Sequence, residues 1–151
     1  MIRFVTKDGL KKLQDELEER KTTLRQNIAK EIKEAKDQGD LSENAEYAEA
    51  KSQQSENESR ILELEMIIKS SQVVEHESGV KGIQIGSKFM VKWNGSEAEF
   101  QIVGSNEADP VIFKISNESP MGKGFMGKKK GDEVAVETPG GKVKFKVLDV
   151  K

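Results

Sequence analysis

Two long helix-forming runs are separated by one short acidic segment, Gly39-Asp40-Leu41-Ser42-Glu43-Asn44-Ala45-Glu46-Tyr47. Its carboxylates Asp40 and Glu43 stand three positions apart. If the flanking runs fold back on each other, the segment lies at the far end of a helical pair. Carboxylates held at such a tip are placed to reach into another molecule, so this segment is the first candidate for function.

The run before the segment carries an apolar stripe at helical spacing. From Lys7 to about Lys36 it contains no proline and, after Gly9, no glycine. The stripe consists of Leu10, Leu13, Leu17, Leu24, Ile28, Ile32 and Ala35. Spacings of three, four and seven predict one buried helix face. Thr6 is placed to cap the helix start, and Gly39 to close its end in a left-handed conformation.

The run after the segment predicts a second helix, over roughly residues 42–71. Its apolar face is predicted to consist of Ala45, Ala48, Ile61, Leu64 and Ile68, with Leu62 and Met66 beside them. An antiparallel hairpin is the simplest way to bury both stripes. About thirty residues at ~1.5 Å rise give a rod of ~45 Å, which is longer than a domain of this size is wide. The tip is therefore expected to project.

Beyond a linker at residues 78–82, the apolar period changes from 3.6 to 2, which predicts about five short strands. The alternating residues are Phe89, Val91 and Trp93, then Phe100 and Ile102, then Val111, Phe113 and Ile115, then Val134 and Val136, then Val143, Phe145 and Val147. The five aromatic residues among them are interpreted as core. Pro139-Gly140-Gly141 predicts a hairpin turn, and Pro120 the first turn of a short helix.

The expected fold class is therefore α+β. Residues 1–77 form an antiparallel α-helical coiled-coil hairpin, and residues 83–151 form a small β-rich globular domain after the linker.

Composition excludes several functional classes. The 151-residue chain has no cysteine, which excludes disulfides and thiolate zinc sites. The single histidine, His76, is interpreted as a solvated loop residue, so no histidine-based metal site or catalytic triad is expected. No apolar run approaches ~20 residues and no secretory signal is recognisable, so no membrane partner and a cytoplasmic location are expected. Residues 1–78 carry a net charge of −5 and residues 79–151 one of +3. Because neither half is strongly basic, a protein partner is better supported than free nucleic acid.

Asp40 and Glu43 have two interpretations from the residues alone. The first is a capping role, since acidic residues at this spacing favour a helix N-terminus, and Ser42 is an alternative cap. The second is metal binding. Carboxylate oxygens suit Mg²⁺, which needs only one or two protein carboxylates when other ligands come from elsewhere. In that case the tip adds ligands to a metal that a partner's active site already holds, for phosphodiester hydrolysis.

Several lysines approach this tip: Lys30, Lys33, Lys36 and Lys51. They form either a solvated face or contacts to RNA phosphates.

The acidic segment, taken with the residues around it, resembles the tip signature of the GreA/GreB family of bacterial transcript cleavage factors. The similarity continues in order through the following motifs: Ala50-Lys51, Gln53-Gln54, Arg60-Ile61, Gln72-Val73-Val74, Ile102-Val103-Gly104, Glu107-Ala108-Asp109, Ser119-Pro120, Gly127-Lys128 and Thr138-Pro139-Gly140-Gly141. It spans essentially the whole chain and is greater to the GreA branch than to the GreB branch.

The resemblance implies a coiled coil followed by an FKBP-like β domain. It implies that the hairpin enters the secondary channel of bacterial RNA polymerase and stimulates cleavage of the nascent RNA 3′ end in backtracked complexes. The polymerase supplies the catalytic site, so the factor itself is not an enzyme.

By matching position, the resemblance also assigns roles to single residues. Asp40 and Glu43 help to hold the second Mg²⁺ and the attacking water, and this Mg²⁺ is bound only jointly with the polymerase. Asn44, Glu46 and Tyr47 shape the tip. Lys51, where the family often has arginine, is the candidate for contact with the RNA 3′ end. The residues expected to dock on the polymerase rim are Glu118, Ser119 and Pro120.

Three alternatives remain: an inhibitory paralogue that enters the same channel, a prolyl isomerase that uses the β domain, and a coiled-coil chaperone or scaffold. Because the coiled coil is satisfied within one chain, a monomer is expected.

Overall fold

The computed structural model of the protein describes residues 2–39, 44–75 and 82–151. The chain divides into two compact units, one formed by Met1–Leu10 with Ser71–Lys151 and the other by Lys11–Ser70. The predicted fold class, α+β with a helical hairpin and a β-rich part, is confirmed. The predicted linker at 78–82 falls mostly outside the described residues, so the domain limits at 77 and 83 stay predictions. No helix in the described ranges is both long enough and apolar enough to cross a bilayer.

The helical unit is an antiparallel pair. The first arm comprises α1 (Lys7–Glu19), a π turn (Arg20–Leu24) and α2 (Arg25–Asp37), and the second is α3 (Ala45–Ser70). The predicted stripe of the first arm is half-buried or buried throughout, with Ile28 and Ala35 only 5% and 3% exposed. The predicted cap is also present, since the Gly9 N–H donates to Thr6 Oγ1 at 3.1 Å. Gly39 has a φ of +124°, which glycine permits at a helix end.

The predicted apolar face of α3 is wrong in part. Ala45 and Ala48 are exposed, as are Leu62 and Met66, whereas Ala50, Ile61, Leu64 and Ile67 are buried. The physical reason is that a polar residue, Asn57, takes a place in the buried seam at 3% exposure. Counting apolar residues alone therefore set the phase of the helix incorrectly.

The other unit contains a two-stranded parallel sheet and a five-stranded sheet. The parallel pair joins β1 (Arg3–Val5) to β2 (Ser71–Val73). The larger sheet has the order β5-β4-β3-β7-β6 and consists of β3 (Lys88–Trp93), β4 (Ser96–Val103), β5 (Lys114–Ser116), β6 (Glu133–Thr138) and β7 (Gly141–Val150). The predicted hairpin turn at Pro139-Gly140 joins β6 to β7, and the predicted short helix is α4 (Pro120–Phe125). The parallel pair was not predicted.

Two expectations for the third predicted strand are wrong. Val111 lies in a 3₁₀ turn (Pro110–Ile112), and Phe113 follows it with a left-handed φ of 58°, so β5 begins only at Lys114. Pro110 lacks an N–H for a sheet and the Asp109 carboxylate accepts from the Val111 N–H at 3.1 Å, so a turn is favoured here. Phe113 is 42% exposed, whereas Phe125 is fully buried in the core with Phe89, Phe100 and Phe145.

Candidate functional site at the hairpin tip

Asp40 and Glu43, the two candidate carboxylates, lie outside the described residues, as does the alternative cap Ser42. The structure describes the residues on either side of them, Gly39 and Asn44.

Asn44 joins the two arms of the hairpin. Its Nδ2 donates to the Ala35 carbonyl oxygen in α2 at 2.7 Å, and its Oδ1 accepts from the Tyr47 N–H at 3.1 Å. The second contact is an N-cap, which satisfies one free donor in the first turn of α3. The cap of α3 is thus Asn44, and neither the acidic pair Asp40 and Glu43 nor the alternative Ser42 that the sequence suggested. One side chain both starts the second arm and ties it to the end of the first.

The remaining predicted tip residues lie along the beginning of α3. Glu46 is exposed and Tyr47 is half-buried. Lys51 is exposed, and its Nζ donates to Gln54 Oε1 at 2.9 Å. Since that contact lies on the surface, the ammonium group is accessible to an anionic partner.

A groove of about 560 Å³ runs between α2 and α3 behind the tip. Its lining includes two buried alanines, Ala35 and Ala50, and four carboxylates. These carboxylates are Glu31, Glu34, Glu46 and Glu49. The groove is negatively charged and suits a cationic group. Within the described ranges no cluster of three or more acidic or histidine side chains could hold a metal ion.

An ionic layer crosses the hairpin further from the tip. Glu16 accepts from Arg60 Nε and from Arg20 Nε, both at 2.9 Å. The hydrogen bond from Arg60, helped by the one from Arg20, holds the pKa of the Glu16 carboxyl below its usual range, and burial only partly opposes this. Hydrogen bonds to Glu16 and Glu63 raise the pKa of the Arg60 guanidinium above its ordinary value. The guanidinium of Arg25 also forms a two-pronged pair with Glu58, at 2.8 Å for each oxygen.

Asn57 adjoins this layer and is a residue that sequence reasoning missed. Its Nδ2 donates to the Arg20 carbonyl oxygen at 3.1 Å, and its Oδ1 accepts from Arg20 Nη1 at 3.2 Å. A signal existed in the sequence, because Ala50, Asn57 and Leu64 follow one another at heptad spacing. A polar residue at such a position is a known device for specifying register.

The predicted docking residues belong to the other unit. Glu118 is exposed and accepts from the Ser105 hydroxyl. The Ser119 hydroxyl accepts from the Gly122 N–H at 3.0 Å and donates to the Ser116 carbonyl at 2.7 Å, so it caps α4. Pro120 is exposed at the first helical position. Ser119 therefore fixes the local conformation, and the side chains of Glu118 and Pro120 are exposed on the surface.

Comparison with known proteins gives matches along the whole chain. The family described as "Transcription elongation factor, N-terminal" matches residues 3–73, and that described as "Transcription elongation factor, GreA/GreB, C-term" matches residues 78–151. The protein named transcription elongation factor GreA from Clostridium perfringens is 51% identical, with 98% of this chain and 96% of that protein covered. The GreA protein of Clostridium acetobutylicum is 50% identical over 97% of this chain and 95% of its own length. A crystal structure of GreA factor homolog 1 (Gfh1) from Thermus thermophilus is 30% identical, covers 100% of this chain and 99% of its own, and has a TM-score of 0.45.

Proposed function

The chain belongs to the GreA/GreB family of transcription elongation factors, and from that membership we propose that it binds bacterial RNA polymerase and stimulates cleavage of the nascent RNA 3′ end in backtracked complexes. The hairpin enters the secondary channel, and the polymerase contributes the catalytic site. The observation that carries the proposal is the similarity along both parts of the chain, at about half identity to proteins named GreA.

In this proposal the tip carboxylates Asp40 and Glu43 are the acting groups. Asp40 and Glu43 would hold Mg²⁺ jointly with the polymerase, because carboxylate oxygens suit this ion and it needs only one or two protein carboxylates when other ligands come from elsewhere. The bound ion would supply activation of water for attack on the phosphodiester. The two hydrogen bonds of the Asn44 side chain support this role. They bind the Ala35 carbonyl and the Tyr47 N–H, and so join the two arms on either side of the acidic segment.

The remaining candidate residues take supporting roles. Lys51 contacts the RNA 3′ end through its accessible ammonium group. Glu118, Ser119 and Pro120 dock on the polymerase rim, and the cap formed by Ser119 sets the conformation of that surface.

The buried aromatic residues of the β unit weigh against the prolyl isomerase alternative. Phe89, Phe100, Phe125 and Phe145 are all at most 4% exposed and pack on one another. These side chains therefore pack in the core and do not line an open peptide pocket.

Transcript cleavage tests the proposal directly. The protein is added with Mg²⁺ to stalled, backtracked bacterial transcription complexes that carry radiolabelled RNA, and release of short 3′ fragments is measured. Asp40→Ala and Glu43→Ala are each expected to slow cleavage by at least about 10- to 100-fold, because loss of even an outer-shell partner of a metal ligand has an effect of that size. Polymerase binding should be unchanged.

Asp37→Asn is the matched control, since it removes an exposed charge at the end of α2 outside the proposed metal site. It should cleave like the unchanged protein. Binding without any cleavage by the unchanged protein would identify an inhibitory paralogue, and no binding would leave the scaffold alternative.

A further inference from the structure

The π turn at Arg20–Leu24 changes the rotational phase of the first hairpin arm. A π turn takes i→i+5 hydrogen bonds and so holds one more residue than an α turn. The buried positions show this extra residue directly: Leu13 to Ile28 spans two heptads plus one residue, whereas Ile28 to Ala35 is one heptad. Without the π turn, α2 would be rotated by about 100°, the angle of one residue. Ile28 and Ala35 would then leave the seam.

The π turn is held from the opposite arm. The buried Asn57 amide donates to the Arg20 carbonyl and accepts from the Arg20 guanidinium, so both ends of its side chain bind the first residue of the turn. The hydroxyl of Thr22, within the turn, donates to the carbonyl of Glu18 near the end of α1 at 2.7 Å. Backbone groups at such a turn need partners, and here one of these partners belongs to α3.

The rotational phase of α2 also determines the contact made at the tip. Ala35 lies in the seam near the end of α2, and its carbonyl oxygen is the one that Asn44 binds at 2.7 Å. A rotation of α2 would carry this carbonyl away from Asn44. Gly39 and Asn44, which flank the acidic segment, would then change position relative to each other.

We propose that Asn57 is a positioning residue, which fixes the π turn and thereby sets the phase of α2 and the placement of Gly39 and Asn44 on either side of the acidic segment. Its effect on cleavage rests on the proposed function, whereas its effect on the hairpin does not.

A distance measurement tests the proposal without polymerase. Because the chain has no cysteine, Lys36→Cys and Ser55→Cys allow two spin labels to be attached on exposed positions of α2 and α3. Double electron–electron resonance then gives the distance between the labels. A rotation of about 100° on a helix ~10–12 Å across moves a surface position by roughly 8 Å. Asn57→Leu is expected to shift the distance by several ångströms, with helix content by circular dichroism retained.

Deletion of Thr23 gives the decisive second variant. Thr23 is exposed within the π turn, and its removal restores two whole heptads between Leu13 and Ile28. The deletion by itself should keep the label distance within about 2 Å, roughly the rise of one residue. In the deleted chain Asn57→Leu should no longer shift the distance, because no π turn remains to be held.

Ile61→Val is the control for lost packing, since it trims a buried side chain one turn from Asn57. It should leave the distance unchanged. An unchanged distance in Asn57→Leu, or an equal shift in Ile61→Val, would overturn the proposal. So would a shift in Asn57→Leu that persists after the Thr23 deletion.

The same variants in the cleavage assay separate this proposal from the proposed function. Asn57→Leu should bind polymerase and cleave at least tenfold more slowly, and the Thr23 deletion should restore cleavage to the Asn57→Leu chain. If the unchanged protein does not cleave, the proposed function fails while the distance result still stands. If the distance shifts and cleavage does not change, the part of the proposal that concerns the tip is wrong.

Discussion

Phe113 shows how one residue can hold an unfavourable backbone conformation. Its φ is 58°, in the left-handed region that a bulky side chain rarely adopts. Its ring stacks on Phe100 with centroids 5.3 Å apart, a contact that offsets part of the strain. Replacing Phe113 by glycine or alanine removes the stack in both cases, but only glycine relieves the backbone. We expect Phe113→Gly to be more stable than Phe113→Ala by about 1 kcal/mol in urea unfolding, because a Cβ in the left-handed conformation costs roughly 1–2 kcal/mol.

Glu97 provides the opposite case for comparison. It is an exposed residue of β4 with no positive φ. There alanine should be the more stable replacement, because glycine in a strand costs more chain entropy. If alanine also proved better at residue 113, the left-handed conformation would not be costly.

At the scale of the element, β1 depends on a close backbone approach. A Cβ at Gly104 would lie 1.9 Å from the Phe4 carbonyl oxygen. The same corner holds Glu107, whose Oε2 accepts from the Thr6 N–H at 2.9 Å. Gly104→Ala must therefore push β1 away from the end of β4. We expect a loss of about 1–3 kcal/mol in the free energy of unfolding, measured with urea and Trp93 fluorescence.

Gly140→Ala is the matched control for this change. Its added Cβ would have the Thr138 hydroxyl oxygen at 3.9 Å as its nearest neighbour, and its φ is not positive. Its stability should change by less than about 0.5 kcal/mol. Equal losses in the two variants would show that the approach of β1 to Gly104 is not tight.

At the scale of the whole molecule, the two units should respond differently to acid. Arg60 and Arg20 hold the pKa of half-buried Glu16 below its usual range, so its ionised form stabilises the helical unit. That contribution is complete above the ordinary glutamate pKa of about 4.3 and is lost as the pH falls through the lower folded value. In the other unit, lysines lower the pKa of Glu75 and Glu99 at exposed sites, where solvent screens the effect.

The single tryptophan makes this difference measurable, because Trp93 lies in the β unit. On titration from pH 5 to pH 2, ellipticity at 222 nm should fall before Trp93 fluorescence changes. Glu16→Gln should weaken this early loss, since it removes the titrating group. Coincident transitions by both probes would show that the two units lose structure together.

Part of the fold was predictable because it is written in local patterns. The first helical stripe, the capping Thr6 and the turn at Pro139-Gly140 depend on neighbours a few positions away, and the structure confirms each of them. The acidic segment, with its flanking motifs in the same sequence order as in the family, was likewise enough to identify the family.

The rest depended on partners distant in the chain. The pairing of β1 with β2 joins residues 3–5 to residues 71–73, and strands of three residues are too short to show a period. Asn57 enters the seam because Arg20, far away in sequence, satisfies its amide, so burial there cannot be read from hydropathy. Composition and spacing thus determined the element types, and the sequence motifs determined the family. Tertiary contacts alone decided the phase of α3 and the two hydrogen bonds by which Asn44 joins the arms beside the acidic segment, because a buried polar group is stable only where its partner is supplied.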